Sequence, residues 1–457
     1  MTVMRLRAFG YPSHEEDQWI DGSFLPVAWP LPVSPAAQPA WPAGARDMFG
    51  TSQVPRLDLT RHRFGVNYTP SHNWWSCWND WDADPIKRDL DAIAALGADH
   101  LRIFPIWPFF QPNPKQVSLP HLERLDQLLT LMGERKLDAL VTVFTGGLSA
   151  FYFMPPFPPP PQAGNTISAA CFFTSSRMLG AFHAPEAIVQ AILKMWGDAE
   201  ELFTRELART IKPHLNVIGF DLGAEIDNCW SAPTEDGDAW MAHMFALMDE
   251  VLPMHVHVNG VLHPWFKDHT DTPEGVQNPT TFSPQALAAA RFPVMHCYPF
   301  WTGAVKYGGA MDPPSTKLMA ATAALIRSFA GTQQKPVWAG EFNTCIQELP
   351  EKGQAEWLEK AVIAAIDQGM SWFSYWDTHD LDPKLFFLFP LEYNLGLLTN
   401  DGRVKEQGRV FKQLADAYRG KPVSFPKASL PEPPTDRSQD GTWKWLLDWM
   451  GWKPTAS

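Results

Sequence analysis

Short apolar runs alternate with longer amphipathic stretches from about residue 60 to residue 420. Apolar runs without polar alternation are typical of strands buried on both faces of a parallel sheet, whereas the amphipathic stretches predict helices. Repeated strand–helix units of this kind predict a single (β/α)8 TIM barrel. The eight predicted strands lie at residues 64–69, 100–106, 139–144, 216–225, 255–259, 293–298, 336–343 and 371–376.

The predicted helices begin and end at ordinary helix signals. In the first, Asp84 is the expected N-cap and Gly97 the expected stop, because a short polar side chain caps backbone amides and glycine tolerates a left-handed turn. The predicted helices lie near residues 85–96, 121–136, 185–211, 239–251, 315–329, 354–368 and 404–418.

Three segments do not fit the alternation. Residues 1–60 contain many prolines and little periodicity, so we predict an extended N-terminal arm packed on the catalytic barrel of residues 61–420. The long insertion at 146–184 follows the third strand and is predicted to form a wall of the substrate pocket. The Pro- and Trp-rich tail at 421–457 is predicted to contain a short docked helix, because its tryptophans recur at helical spacing.

Composition narrows the function classes. The chain has 457 residues, a net charge of −13 and no basic run, which argues against a nucleic-acid partner. No apolar run is long enough for a bilayer span and no secretory signal is recognisable, so we expect no membrane association and a cytoplasmic location. The five cysteines are scattered without a CxxC pair, which fits a reducing compartment.

Two of the predicted strands end in a glutamate, Glu225 on the fourth and Glu341 on the seventh. By alternation, Glu341 shares a strand face with Val337 and Ala339. Because the C-terminal ends of barrel strands meet at one mouth, the two carboxylates are expected to face each other. A separation of about 5–5.5 Å serves double displacement at an anomeric carbon, whereas about 6.5–9.5 Å implies inversion.

Around these glutamates the sequence resembles the clan A retaining glycoside hydrolases, which include families 5 and 113. The resemblance implies that Glu225, in a Gly-Ala-Glu motif, is the acid/base, and that Glu341, in an Ala-Gly-Glu-Phe motif, is the nucleophile. We expect no required cofactor and no metal ion. The resemblance also assigns substrate-site roles on other strands: Arg102 steadies the nucleophile, and Trp376 forms the floor under the sugar. The full set of these substrate-site residues is Arg102, His296, Tyr298 and Trp376.

One position departs from the clan pattern. Ala224 precedes the acid/base, where most members carry an asparagine that binds the sugar 2-hydroxyl. Asp227 and Asn228, in the loop that follows, are candidates to replace it. Asp221, on the same strand face as Glu225, is the alternative acid/base.

The segment after the first strand is rich in tryptophan and polar residues. Aromatic faces stack on the C–H face of a sugar while polar side chains bind its hydroxyls, so His72, Trp74 and Trp75 are predicted to bind substrate, with Trp107 extending this wall. The alternative is a loop packed by its own tryptophans. Bulky loops favour a closed pocket, and hence an exo-acting β-glycosidase on short oligosaccharides such as β-galactosides, β-glucosides or β-mannosides.

Several alternatives stay open. An endo-acting β-glycanase of the same clan, such as a mannanase or glucanase, would use the same glutamates in an open cleft. A non-catalytic sugar-binding barrel would keep the pocket without the chemistry, and paired tryptophans could serve a homo-oligomer interface. A metal-dependent hydrolase on the same barrel would bind its metal through His255, His257, His296 and Asp377.

Overall fold

A computed structural model of the protein describes residues 57–453 apart from 146, 150, 154, 156–185, 229–232, 272–276 and 386–389. At 152, 186–193, 228, 270, 271, 277 and 278 it describes the backbone alone. Nearly all of the predicted N-terminal arm and most of the predicted pocket wall at 146–184 lie outside the described residues.

Eight parallel strands form a nearly closed barrel, which confirms the predicted (β/α)8 fold. The strands are β1 (Arg63–Tyr68), β2 (His100–Ile103), β3 (Asp138–Phe144), β4 (Val217–Ala224), β5 (Val258–Gly260), β6 (Val294–Cys297), β7 (Trp338–Phe342) and β8 (Trp372–Tyr375). They pair in the order β6-β7-β8-β1-β2-β3-β4-β5. The two ends of this order meet where the backbone amide of His296 donates to the carbonyl of Val261 at 3.0 Å.

Helices follow the strands as the amphipathic stretches predict. The longer ones are α1 (Ala83–Ala95), α2 (Leu119–Glu134), α3 (Glu186–Ile211), α4 (Thr234–Val251), α5 (Leu318–Ala330), α6 (Glu351–Asp367), α7 (Glu406–Tyr418) and α8 (Gln439–Met450). The prediction that Asp84 caps α1 is wrong: the carboxylate of Asp82 accepts from the backbone amide of Asp84 at 3.0 Å and is the cap. Gly97 follows the helix with a φ of +83°, as expected of a glycine at a helix end.

Shorter elements lie in the loops. Short helices span Trp74–Trp78, Trp107–Phe110, Ile226–Asn228, His263–Trp265, Pro284–Ala289, Pro299–Thr302, Ala304–Lys306, Pro313–Thr316 and Pro390–Asn394. Two hairpins pair Gly147–Leu148 with Phe151–Tyr152 and His269–Asp271 with Gln277–Pro279. Among the described helices, none combines the length and apolar character that a membrane crossing requires.

The fifth strand is shorter than its apolar run predicts, at Val258–Gly260 instead of residues 255–259. The reason is that the imidazole of His257 replaces a backbone partner: its Nδ1 accepts a hydrogen bond from the amide of Phe220 at 3.2 Å. His255 and His257 therefore precede the strand, toward the N-terminal end of the barrel and away from the mouth.

Aromatic and aliphatic side chains fill most of the N-terminal half of the barrel interior. Trp338 and Trp372 are fully buried there, with ring centroids 4.9 Å apart in an edge-to-face arrangement. Aliphatic side chains of neighbouring strands complete this layer. Two polar side chains are part of this layer: Nε2 of His100 lies 2.8 Å from the hydroxyl of Ser374, which also accepts from the indole nitrogen of Trp338 at 2.9 Å.

The C-terminal tail packs on the loop that follows β6. Trp443 of α8 is fully buried, and its indole nitrogen donates to the carbonyl of Thr302 at 2.8 Å. Trp452 donates in the same way to the carbonyl of Tyr307 at 2.9 Å. The tail therefore supports a loop on the C-terminal face of the barrel.

Candidate active site

The two glutamates predicted at strand ends lie together at the mouth of the barrel. One carboxylate oxygen of Glu225, one of Glu341 and a ring nitrogen of His296 lie within 4.8 Å of one another. The side chain of Glu225 is 20% exposed and that of Glu341 is 7% exposed. This spacing is near the about 5–5.5 Å of retaining glycosidases and well below the about 6.5–9.5 Å of inverting ones.

Glu341 faces the mouth even though the alternation predicted for its strand is wrong. Trp338 packs inside the barrel, while Val337 and Ala339 belong to the core shared with the helices, so strict alternation would turn Glu341 outward. The pairing register of β7 shifts at this point against both β6 and β8. Such an irregularity re-aims the side chain that follows, and here it brings Glu341 to the mouth.

A cation and a hydroxyl hold the carboxylate of Glu341. Arg102, in β2, contacts one carboxylate oxygen through Nη1, and the hydroxyl of Tyr298 donates to the other at 2.7 Å. Burial, followed by the charges of Glu341 and Glu225, raises the pKa of Tyr298 well above its ordinary value, so the phenol keeps the proton that it donates. Both contacts stabilise a negative charge on Glu341.

Arg102 is itself fixed by two buried side chains. Its Nε donates to Asp221 at 2.7 Å, and its Nη1 donates to the side-chain oxygen of Asn67 at 3.2 Å. Asp221 also accepts from the backbone amide of Gly260 at 2.9 Å. Asp221, the alternative acid/base, is thus engaged in a buried ion pair. Asn67 is a site residue that sequence reasoning missed, although a polar residue inside an apolar run was a signal for it.

Glu225 lies directly after β4 with a left-handed backbone, at a φ of +46°. Such a conformation is uncommon outside glycine and is concentrated at functional sites. Its carboxylate oxygen Oε1 is 2.7 Å from Nδ1 of His296. Burial lowers the pKa of His296 to about 4, so this imidazole is neutral at neutral pH. The structure places His296 against the predicted acid/base, while its predicted contact with substrate stays a prediction.

Two glycines make room for the ring of His296. A Cβ at Gly260 would come 2.6 Å from Nε2 of His296. A Cβ at Gly340 would come 2.5 Å from Cγ1 of Val294 and 3.4 Å from the same ring nitrogen. The glycine of the Ala-Gly-Glu motif is therefore required by the side chain of Val294, whereas Gly260 is required by the imidazole of His296.

The loop after Glu225 is anchored by Asp227. One carboxylate oxygen of Asp227 accepts hydrogen bonds from two backbone amides of the loop after β5, at 3.3 and 2.9 Å. Burial, and then the charge of Glu225, raises the pKa of Asp227 to about 7. Ala224 is buried and the side chain of Asn228 lies outside the described residues, so the replacement of the clan asparagine by Asp227 or Asn228 stays a prediction.

Trp376, directly after β8, contacts the carboxylate of Glu392, a residue that the sequence reasoning missed. Its side chain hydrogen-bonds to Glu392, which also accepts from the hydroxyl of Ser149 at 2.8 Å. Burial, and then the charges of Glu341 and Glu225, raises the pKa of Glu392 to about 7. No sequence signal marked Glu392, because the loop that carries it has no strand or helix periodicity.

The tryptophans predicted to bind sugar after β1 lie in a packed loop. Trp74 and Trp75 are buried with ring centroids 3.8 Å apart, and Trp75 packs on Phe151 at 4.5 Å. Trp107 is fully buried and belongs to the core. His72 is exposed. This arrangement is that of a loop packed by its own tryptophans, and sugar binding by His72, Trp74 and Trp75 stays a prediction.

The metal-site alternative does not fit the donor set. His255 and His257 lie before β5, away from the mouth. Within the described residues, the only group of three or more potential metal ligands is Glu225, His296 and Glu341. Because the guanidinium of Arg102 contacts Glu341 in this group, a divalent cation there would meet a fixed positive charge.

Known proteins with a similar structure are glycoside hydrolases. No protein-family model and no curated protein matches the chain. A GH5_18 glycoside hydrolase from Streptomyces cattleya, crystallised with GlcNAc, is 26% identical over 85% of this chain and 90% of its own, with a TM-score of 0.68. A GH5_18 variant from Bifidobacterium longum subsp. longum, in complex with Manβ1-4GlcNAc, is 26% identical over 86% and 90%, with a TM-score of 0.69.

An exo-β-1,4-mannosidase from an Opitutaceae bacterium is also similar, at 25% identity over 79% of this chain and 60% of its own, with a TM-score of 0.63. The eight-stranded barrel and these likenesses define the chain as a glycoside hydrolase. Within that class the chain is similar to the family 5 enzymes of clan A.

Proposed function

We propose that the protein is an exo-acting retaining β-mannosidase that releases mannose from short β-1,4-linked oligosaccharides of the Manβ1-4GlcNAc type. The observation that carries the retaining mechanism is the pair Glu225 and Glu341, with oxygens within 4.8 Å. A cation and a phenol bind Glu341, and the imidazole of His296 lies against Glu225. Opposite environments of two carboxylates assign the nucleophile and the acid/base.

In the first step, Glu341 attacks the anomeric carbon and forms a glycosyl–enzyme ester. Arg102 and Tyr298 hold this carboxylate in place, so that little rotational freedom is lost on reaction. The bond to the leaving oxygen breaks as Glu225 donates its proton to that oxygen. The aglycone leaves as an alcohol.

In the second step, Glu225 removes a proton from water, which attacks the anomeric carbon and releases Glu341. The neutral imidazole of His296, 2.7 Å from Glu225, can donate to the carboxylate or accept from the carboxylic acid. The Nδ1–H tautomer therefore pairs with the carboxylate of Glu225, and the Nε2–H tautomer pairs with its carboxylic acid. The product keeps the β configuration of the substrate.

The proposed substrate follows from the neighbours. The GH5_18 enzymes that are 26% identical to this chain bind GlcNAc and Manβ1-4GlcNAc, and a further neighbour is an exo-β-1,4-mannosidase. The endo-mannanases with the same fold are only 13–14% identical, so they support the fold alone. The predicted cytoplasmic location and a possible homo-oligomer stay predictions from the sequence.

The test is a hydrolysis screen with aryl β-mannoside, β-glucoside and β-galactoside and with Manβ1-4GlcNAc, run with and without chelator. We expect chelator-resistant release of mannose, loss of turnover in Glu341→Ala, and partial rescue of Glu225→Ala by azide through formation of the β-glycosyl azide. Retained activity in Glu341→Ala would refute the proposed double-displacement mechanism. No turnover of any glycoside by the wild-type chain would instead favour the sugar-binding barrel.

A further inference from the structure

Glu392 brings a third carboxylate to the catalytic pair from the loop after β8. Its carboxylate accepts hydrogen bonds from the hydroxyl of Ser149 at 2.8 Å and from the side chain of Trp376. The charges of Glu341 and Glu225 both act on it. Two segments on the C-terminal face, the hairpin after β3 and the loop after β8, thus converge on the edge of Trp376.

A purely structural tie does not account for a carboxylate at this position. Ser149 and Trp376 each donate one hydrogen bond, which an amide oxygen would accept equally well, whereas a carboxylate has about four acceptor sites. No ion pair to Glu392 is found among the described residues, and two neighbouring carboxylates disfavour its charge. Glu392 is half-buried, and an acidic group near like charges is costly there unless a ligand uses its remaining acceptor sites.

The geometry indicates which part of a ligand would donate hydrogen bonds to the remaining acceptor sites of Glu392. A sugar whose anomeric carbon lies at Glu341 and whose C–H face rests on Trp376 directs its remote hydroxyls to the rim of that indole. Glu392 lies at this rim, because it binds the polar side chain of Trp376. Pairs of hydroxyl donors match a carboxylate that has free acceptor sites.

We propose that Glu392 binds hydroxyl groups of the glycone that are remote from its anomeric carbon, at C3, C4 or C6, and that this contact favours an unsubstituted terminal sugar. This inference rests on the proposed function. A chain extended through one of these hydroxyls would lose a donor and leave the carboxylate unpaired, and a site that hydrogen-bonds a substrate hydroxyl discriminates strongly against analogues that lack it.

The experiment compares wild type and Glu392→Gln on aryl β-mannoside and on its 3-deoxy, 4-deoxy and 6-deoxy analogues. Glutamine keeps the size of the side chain and can still accept from Ser149 and Trp376. We expect kcat/KM for the parent glycoside to fall about 10- to 100-fold in the variant, the usual effect of a lost hydrogen bond to a charged group. For the analogue that lacks the bound hydroxyl, the same substitution should cost less than about threefold.

Two further variants separate the possible causes of a lower kcat/KM in Glu392→Gln. Ser149→Ala removes the tie to the hairpin but keeps the carboxylate, so it should preserve the discrimination between parent and deoxy glycosides. Glu348→Gln removes a half-buried glutamate from the loop after β7, where burial raises its pKa, and should change kcat/KM by less than about twofold. It is the matched control for loss of a negative charge on this face.

The outcomes separate this inference from the proposed function. If the wild type turns over the mannoside and Glu392→Gln matches it, the inference is overturned alone. Equal losses on the parent and on all three analogues, reproduced by Ser149→Ala, would also overturn it, because they describe a structural tie. If the wild type turns over no glycoside, the proposed function and this inference fail together. Selective loss at one hydroxyl supports the inference.

Discussion

Replacement of Asp227 by asparagine tests the electrostatics of the loop that follows Glu225. Asp227 is 5% exposed, and one of its oxygens accepts from two backbone amides. Its other oxygen, Oδ1, is buried without a hydrogen-bond partner among the described residues. An asparagine can place its carbonyl oxygen at the two amides and its NH2 group where Oδ1 lies. The substitution therefore removes a buried charge and keeps the anchoring bonds.

The magnitude follows from the pKa. Burial, then the charge of Glu225, raises the pKa of Asp227 from 3.8 to about 7 in the folded protein. Below about pH 3.8 the carboxyl group of Asp227 is neutral in both the folded and the unfolded protein, so the substitution changes the free energy of unfolding little. Above about pH 7 the folded state carries the full penalty of the charge, and about 3 pKa units at ~1.4 kcal/mol each give an upper limit of ~4 kcal/mol. Wild-type stability is thus lost as pH rises through this window.

Urea unfolding followed by tryptophan fluorescence measures the effect. At pH 5 the asparagine variant should exceed wild type by up to ~1.6 kcal/mol and at pH 8 by up to ~4 kcal/mol, so the difference should grow with pH. Asp367→Asn, at an exposed position in α6, is the control and should differ from wild type by the same amount at both pH values. A difference for Asp227→Asn that is constant or shrinks with pH would refute the reasoning.

Two further substitutions test the catalytic geometry. Tyr298→Phe removes the donor to Glu341 and should lower kcat/KM about 10- to 100-fold with little change in melting temperature, whereas Tyr307→Phe, whose hydroxyl lies near the surface, should be neutral. Unchanged kinetics in Tyr298→Phe would contradict the assignment of that hydrogen bond. Gly260→Ala places a Cβ 2.6 Å from Nε2 of His296 and should reduce kcat at least about tenfold, because small displacements of catalytic groups are costly. In contrast, a Cβ at Gly197 in α3 meets no atom within 4 Å, so Gly197→Ala should leave kcat unchanged, and equal effects of the two alanines would argue against a positioning role of the glycine.

The sequence predicted those parts of the fold and site that depend on strand ends. The barrel and both glutamates could be predicted because a polar residue at the end of an apolar run stands out, whereas Arg102 and Tyr298 were implied by the resemblance to clan A. Strict alternation along β7 would turn Glu341 outward. Register shifts against both neighbouring strands turn it toward the mouth instead, and alternation could not predict them. Such shifts depend on neighbouring strands that are distant in the chain.

Loop residues were harder to predict. Trp74 and Trp75 looked like sugar platforms, but their burial against one another and Phe151 depends on contacts across two loops. Glu392 joined the site through Ser149, which is 243 positions away in the chain. Periodicity describes one element at a time, so it carries no information about which loops meet.

His296 shows why fold and chemistry are difficult to separate at this mouth. Its backbone amide closes the barrel by donating to the carbonyl of Val261, and its imidazole contacts Glu225. Its ring also lies against the positions of Gly260 and Gly340, where no side chain fits. A change that shifts this ring therefore disturbs barrel closure and the acid/base at once. For that reason, a loss of activity at His296 itself says little about catalysis, and substitutions of its glycine neighbours that preserve the melting temperature are more informative.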